Sequence, residues 1–413
     1  MSASPVSRLL VAKGLRAFGD GFVSLLLPVY LLALGFSALE VGVIATATLL
    51  GSGLLTLGVG LTAHRYHYRS MLLAATLLMA ATGAGFAVFT DFWPLLVIAI
   101  VGTLNPSSGD VSVFLPLEHA VMSRTVEGKR RTATFARYSL VGSLVAALGS
   151  VAAGLPGLLE SAAGFTMKAS IQAMFVLYAA LGLACALVYR GLPRALESEG
   201  QKPHAPLTQS KKTVYILAAL FSLDAFGGGF VVQSMVALWL YQRFGMSVAT
   251  AGAVFFWTGV LTSLSYLVAV RIADRIGLVN TMVFTHLPAN VCLVMIPFMP
   301  DLSYVLVLLF VRSALSQMDV PTRSSYVMAV VTPAERPAAA SMTSVPRSLA
   351  SAAGPFLAGY LLTVSTFGWP LVVAGCLKIV YDLLLLATFR KVRPPEEMPG
   401  ASAKVTRANP DRA

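Results

Sequence analysis

Apolar residues run along this chain in blocks of about twenty or more, separated by short polar or glycine- and proline-bearing stretches. A helix of that length crosses a hydrocarbon layer about 30 Å thick with its backbone groups satisfied internally. Twelve spans are predicted, near 9–34, 39–63, 70–90, 93–120, 132–156, 170–190, 214–242, 248–272, 279–299, 302–330, 340–364 and 370–390. The expected fold class is an all-α polytopic membrane protein.

Composition agrees with the pattern. The 413 residues are 57% hydrophobic and 12% charged, where soluble domains carry about 25% charge. The net charge of +12 does not point to nucleic acid, because Lys and Arg fall in alternate loops. One set holds Arg65, Arg69, Arg124, Lys129, Arg190, Arg271 and Arg336, while the opposite loops hold only Lys168 and Arg243. The positive-inside rule then places both termini in the cytoplasm, in a plasma membrane of the bacterial inner-membrane type. No cleavable signal is expected, since the first apolar run is long and lacks a clear small-residue cleavage site. The isolated Cys185, Cys292 and Cys376 suggest neither disulfides nor a metal site.

The chain also repeats itself. Ala17-Phe18-Gly19-Asp20-Gly21-Phe22-Val23 returns as Ala225-Phe226-Gly227-Gly228-Gly229-Phe230-Val231. Gly35-Phe36-Ser37 returns as Gly245-Met246-Ser247, Asp110 as Asp319 and Glu127 as Glu335, with offsets held between 208 and 210. Two six-helix bundles are expected, 1–190 and 214–390, joined by a linker at 191–213 and followed by a disordered tail at 391–413. Internal repeats mark many transporter folds, with the substrate site at the repeat interface.

On these features the chain resembles the major facilitator superfamily. The most specific element is Ala273-Asp274-Arg275-Ile276-Gly277, similar to the family's cytoplasmic Asp-Arg-x-Gly signature. Its first-half copy, Gly60-Leu61-Thr62-Ala63-His64-Arg65, has His64 where the family has Asp. Pro333-Ala334-Glu335-Arg336 and Gly354-Pro355-x-x-x-Gly359 are also similar to family sequences. The family's antiporter signature has a Gly-Pro pair in the fifth span, where this chain reads Gly149-Ser150-x-x-x-Gly154. The resemblance implies two bundles rocking about a central cavity. It also implies a latch at the cytoplasmic face, here His64, Arg65, Asp274 and Arg275, and in many members coupling to protons.

Ionisable residues inside a membrane are functional candidates by default. Asp20 lies about 16 Å into the first span, where the second half has Gly228. It reads either as a protonation or substrate-contacting group or as a partner for Arg16, four residues earlier on the same face. Asp224, at the repeat position of Arg16, reads as a second coupling group or as a partner for a cation elsewhere. Asp110 with Arg137, and Asp319 with Arg347, read as ion pairs, static or gating; Asp319 also has Arg323 four residues on. Lys378 and Asp382 are spaced to pair along one helix face. Asn105, in Asn105-Pro106-Ser107-Ser108-Gly109, marks a break in the fourth span. Gln233, Arg312 and Gln317 complete the cavity candidates.

The expected function is secondary transport of a small solute by alternating access, coupled to protons, by a monomer without cofactor or metal. A mixed set of cavity groups favours efflux of a metabolite or drug-like compound. The alternative is facilitative or proton-coupled uptake of an organic anion on Arg312, Arg323 and Arg347. The alternative of another class is a non-transporting receptor or lipid-handling protein. Catalytic signatures are absent, so an enzyme is not expected.

Overall fold

The computed structural model describes residues 4–62, 66–107, 112–125, 129–193, 207–332 and 335–390. The first half contains α1 (Pro5–Ala33), α2 (Ala38–Thr62), α3 (Tyr68–Val88), α4 (Phe92–Val101), α5 (Phe114–Thr125), α6 (Lys129–Ala152), α7 (Leu155–Ala163) and α8 (Met167–Arg190). The second contains α9 (Lys211–Phe230), α10 (Gln233–Phe244), α11 (Val248–Ile276), α12 (Leu278–Met295), α13 (Leu302–Leu315), α14 (Asp319–Val330), α15 (Arg336–Val364) and α16 (Trp369–Phe389). Ten stretches are long and apolar enough to cross a membrane. The expected fourth span is divided between α4 and α5. The expected eleventh is α15, whose 29 residues include Pro346 and Pro355.

Repeated sequence becomes repeated geometry. Gly35 ends α1 with φ +90° and Gly245 ends α10 with φ +60°, a region that favours glycine. Serine then starts the next helix in both halves. Ser37 Oγ accepts the Glu40 N–H at 3.3 Å, and Ser247 Oγ accepts the Thr250 N–H at 3.1 Å. Glu40 returns to the Ser37 N–H at 2.7 Å, completing a capping box.

Small residues set the helix crossings. Gly21 of α1 lies against Gly149 of α6, and Gly229 of α9 lies against Gly354 of α15. One position further, each partner helix reaches into the other half. A Cβ on Gly252 would overlap the Ser150 carbonyl, and one on Gly42 would overlap the Pro355 carbonyl. Gly149-Ser150 and Gly354-Pro355 are thus the same device: the glycine packs within its half, and the next carbonyl packs on a glycine of the other.

Among the described residues, cross-half hydrogen bonds lie at mid-bundle or toward the end away from the termini. Tyr241 donates to the Leu25 carbonyl at 3.3 Å, and the Phe356 N–H donates to Thr46 Oγ1 at 2.9 Å. Ser263 donates to Ser143 at 2.8 Å, near the middle. Toward the termini, Arg137 and Arg347 are solvent-exposed on membrane-spanning helices. Exposed guanidiniums at that depth face water rather than lipid. Their exposure fits an aqueous space between the halves toward the end that carries the termini.

Candidate substrate and coupling site

Each half holds a buried ion pair between its first and fourth spans. In the first half, the Arg16 guanidinium pairs with Glu118 of α5, and the two are 4% and 0% exposed. Tyr189 donates to Glu118 Oε1 at 2.7 Å, and Tyr138 donates to Oε2. The Arg16 guanidinium also lies 4.0 Å from the centre of the Phe114 ring.

In the second half the polarity is reversed. Asp224, at the repeat position of Arg16, accepts from Lys378 Nζ at 2.6 Å on Oδ1 and from Arg323 at 2.9 Å on Oδ2. Arg323 also pairs with Asp319, one turn earlier, and its guanidinium lies 5.0 Å from the Phe221 ring centre. Beneath this sits His286 of α12. Its Nδ1 is 2.9 Å from Asp382 Oδ1, and its Nε2 is 3.8 Å from Asp224 Oδ1. Asn290, one turn on, donates to Asp382 Oδ2 at 2.9 Å.

These contacts revise several pairings expected from spacing. Arg16 pairs with Glu118 rather than Asp20, because a neighbouring helix offers a buried carboxylate. Asp319 pairs with Arg323 on its own helix; Arg347 is exposed and has no ion pair among the described residues. Lys378 and Asp382 do not pair with each other. Lys378 reaches across to Asp224, while Asp382 is taken by His286 and Asn290. Lys378 passes beside Gly228, where a Cβ would stand in ordinary contact, 3.6 Å from its ammonium.

Among the other candidates, Asp20 is half-buried within electrostatic reach of Tyr178. Asn105 Oδ1 accepts the Ser107 N–H at 3.0 Å and so shapes the turn after α4. The next carbonyl, Pro106, accepts the Ser234 N–H at 3.1 Å, joining the breaks of the fourth and seventh spans. Gln233 donates to Ser150 at 3.4 Å. Arg312 and Gln317 are half-buried near the break between α13 and α14, and Asp274 and Arg275 are exposed. His64, Arg65 and Asp110 lie outside the described residues, as do much of the 191–213 linker and the 391–413 tail. No cluster of three or more His, Cys, Asp or Glu is placed to hold a metal ion among the described residues.

Glu118, His286 and Asn290 were not singled out from the sequence. The signal for Glu118 was an acid inside the predicted fourth span, masked by its nearness to the span's end. His286 and Asn290 stand one turn apart within the predicted ninth span, which puts two polar groups on one face of an apolar helix.

Comparison with known proteins places this geometry in context. The family model described as Major Facilitator Superfamily matches residues 9–303 and 217–410. An uncharacterized membrane protein of Saccharomyces cerevisiae, YJR124C, is 24% identical over 410 residues, covering 91% of this chain and 92% of its own. A crystal structure of a mutant of the nucleoside transporter NupG aligns with TM-score 0.74 at 13% identity, covering 94% of this chain and 100% of that one. A bacterial homolog of the human lysosomal transporter Spinster, inward-facing and occupied, aligns with TM-score 0.71 at 16% identity, over 95% and 99% of the two chains. The human organic anion transporter MFSD10 aligns with TM-score 0.64 at 18% identity, over 93% and 100%.

Proposed function

This chain belongs to the Major Facilitator Superfamily, and from that premise we propose that it is a proton-coupled secondary transporter whose coupling group is His286 between Asp224 and Asp382. The observation that carries the reading is that both ring nitrogens of one buried imidazole face carboxylates. A neutral imidazole can donate from only one nitrogen. With Nδ1 donating to Asp382, Nε2 is left to acquire a proton facing Asp224. Histidine is a side chain suited to passing protons from one ring nitrogen to the other.

Asp224 Oδ1 then has two claimants, the Lys378 ammonium at 2.6 Å and a protonated His286 at 3.8 Å. At an effective dielectric of about 20, the attractions are about 6 and 4 kcal/mol before desolvation. They are close enough for a proton on His286 to loosen Lys378. A freed ammonium is a binding group for solute, so proton and solute bind together. That favours symport, and hence uptake, over the efflux favoured by the sequence.

The open, termini-bearing end corresponds under this reading to the cytoplasmic face, as the basic loops suggest. Residues 191–213 link the two bundles, and Asp274 with Arg275 stays unlatched until the cavity opens to the other side. A monomer contains the whole path.

The test is the purified full chain in liposomes enclosing the pH dye pyranine, challenged with a panel of anionic, cationic and neutral solutes. A coupled solute changes internal pH in the wild type. His286→Gln keeps a hydrogen bond to Asp382 and should move that solute without moving protons. If no solute shifts pH, or His286→Gln shifts it as the wild type does, the coupling is elsewhere or absent.

A further inference from the structure

The second half holds more cation than its carboxylates use. Arg312, Arg323, Arg347 and Lys378 stand against Asp224, Asp319 and Asp382, and Asp382 is already engaged by His286 and Asn290. Arg323 is 7% exposed and spends only NH2 on its two carboxylates, leaving Nε and NH1 buried without a partner. Arg312 Nε is likewise buried and unpartnered. The Tyr381 hydroxyl, on a fully buried side chain within electrostatic reach of Arg323, has no partner either. Arg347 is exposed to the wet space between the halves, within electrostatic reach of Arg323 and Asp224.

Buried donors without acceptors carry the cost of their lost hydration, and native structures rarely leave several together. Here the unused donors are charged, and Arg312, Arg323 and the exposed Arg347 all lie within electrostatic reach of Asp224. We propose that Arg323, Arg347 and Arg312 form an oxyanion-binding site, and that the transported solute is a small organic anion bearing a carboxylate, sulfonate or phosphate. Its oxygens accept from the guanidinium edges that the protein's own carboxylates leave open, and Lys378 joins them when released from Asp224.

This inference rests on the reading of the chain as an alternating-access transporter and adds a consequence to it. While the cavity is open, water solvates Arg347. When the open end closes, that solvation is lost, and an unmatched cation in a low-dielectric interior is costly. An anion travelling in the site removes the mismatch. The loaded carrier therefore closes more readily than the empty one.

The experiment measures thermal unfolding of the purified full chain with three anions, benzenesulfonate, phenyl phosphate and phthalate, and with benzyltrimethylammonium as the matched aromatic cation. At least one anion should raise the midpoint saturably, since a ligand that binds only the folded state stabilises it; the cation should not. Arg347→Gln removes an exposed side chain without an ion pair and should fold. It and Arg312→Gln should each raise the half-saturating anion concentration about tenfold or more, the size of a lost charge-assisted hydrogen bond. The inference fails if no anion shifts the midpoint, if the cation shifts it equally, or if both variants saturate as the wild type does. Its failure is separable from that of the coupling reading. Saturable anion binding with no proton movement in liposomes sinks coupling and leaves the site. Proton-linked movement of a cation does the reverse.

Discussion

Glu118→Gln tests whether the first half's buried pair works by charge or by hydrogen bonding. Glu118 receives Arg16 and Tyr138 on one oxygen and Tyr189 on the other. A glutamine can keep this pattern: its carbonyl takes the place of Oε2, and its amide donates to the Tyr189 hydroxyl. Almost nothing is lost except the negative charge. Arg16, 4% exposed and with Nε already unpartnered, then has no counterion. Stranding a buried charge in this way costs about 3–5 kcal/mol. For a cooperative unit of about 150–250 residues, each kcal/mol lowers the unfolding midpoint by about 2–4 °C, so a drop of about 6–20 °C is expected. The assay is thermal unfolding of the purified chain in one detergent, read by tryptophan fluorescence. Arg16→Met with Glu118→Met removes both charges and should recover most of the loss, because apolar replacement of a whole buried pair is often neutral. If Glu118→Gln stays within about 1 kcal/mol of the wild type, or the double variant is as unstable as the single one, charge is not what the pair contributes.

Three further outcomes follow from the geometry. Gly42→Leu and Gly252→Leu each press a side chain onto a carbonyl of the other half, so labels placed across the far end should separate, and unchanged distances would mean that these crossings do not hold it shut. Lys378→Met leaves Asp224 to Arg323 and His286, so proton-linked flux should lose its dependence on competition at Asp224 and fall with little change in unfolding midpoint; wild-type flux would remove Lys378 from the cycle. Outside the membrane, Glu335 accepts the Thr208, Gln209 and Ser210 N–H groups and the Thr208 hydroxyl, and these bonds, led by that from the Thr208 backbone, hold its carboxyl down at about 2. A depressed folded pKa stabilises above the unfolded value of about 4.3 and is lost as pH falls through the folded one. Glu335→Gln should therefore quicken amide exchange at 208–210 near neutral pH, and unaltered exchange would deny the clasp.

Much of the fold could be read from the chain because its determinants are local. Span length, the repeated Gly35 and Gly245 turns, and the Ser37 and Ser247 caps are each set within a few residues. The pairing of charges was not legible, since spacing along one helix is only one of the distances that matter. Lys378 and Asp382 are well spaced to meet, yet a carboxylate on α9 sits within 2.6 Å of the ammonium. Arg16 and Asp20 are equally well spaced, yet Glu118 lies closer in space although it is 102 residues away. Asp319 was the case where spacing along the helix did succeed, with Arg323 one turn on. Sequence shows which charges lie within apolar spans; only packing between helices decides which of them are buried and which meet.

The repeat position of Asp20 against Gly228 gains a different meaning from this packing. Gly19 lies against Tyr178, and Gly227 lies against Lys378, so the two first spans meet their sixth-span neighbours in matching places. The first half sets a carboxylate beside a phenol there; the second sets a glycine beside an ammonium. Together with the reversed Arg16–Glu118 and Asp224–Arg323 pairs, duplication has kept the helix crossings while the charges at matching positions have changed sign or moved to a neighbour. The first half's pair is enclosed by two tyrosine hydroxyls and has a single carboxylate. The second half's carboxylate is shared among Lys378, Arg323 and His286, and a shared acceptor is one whose partners can be exchanged. The proposed coupling group, His286, thus lies in the half that has Gly228 in place of Asp20.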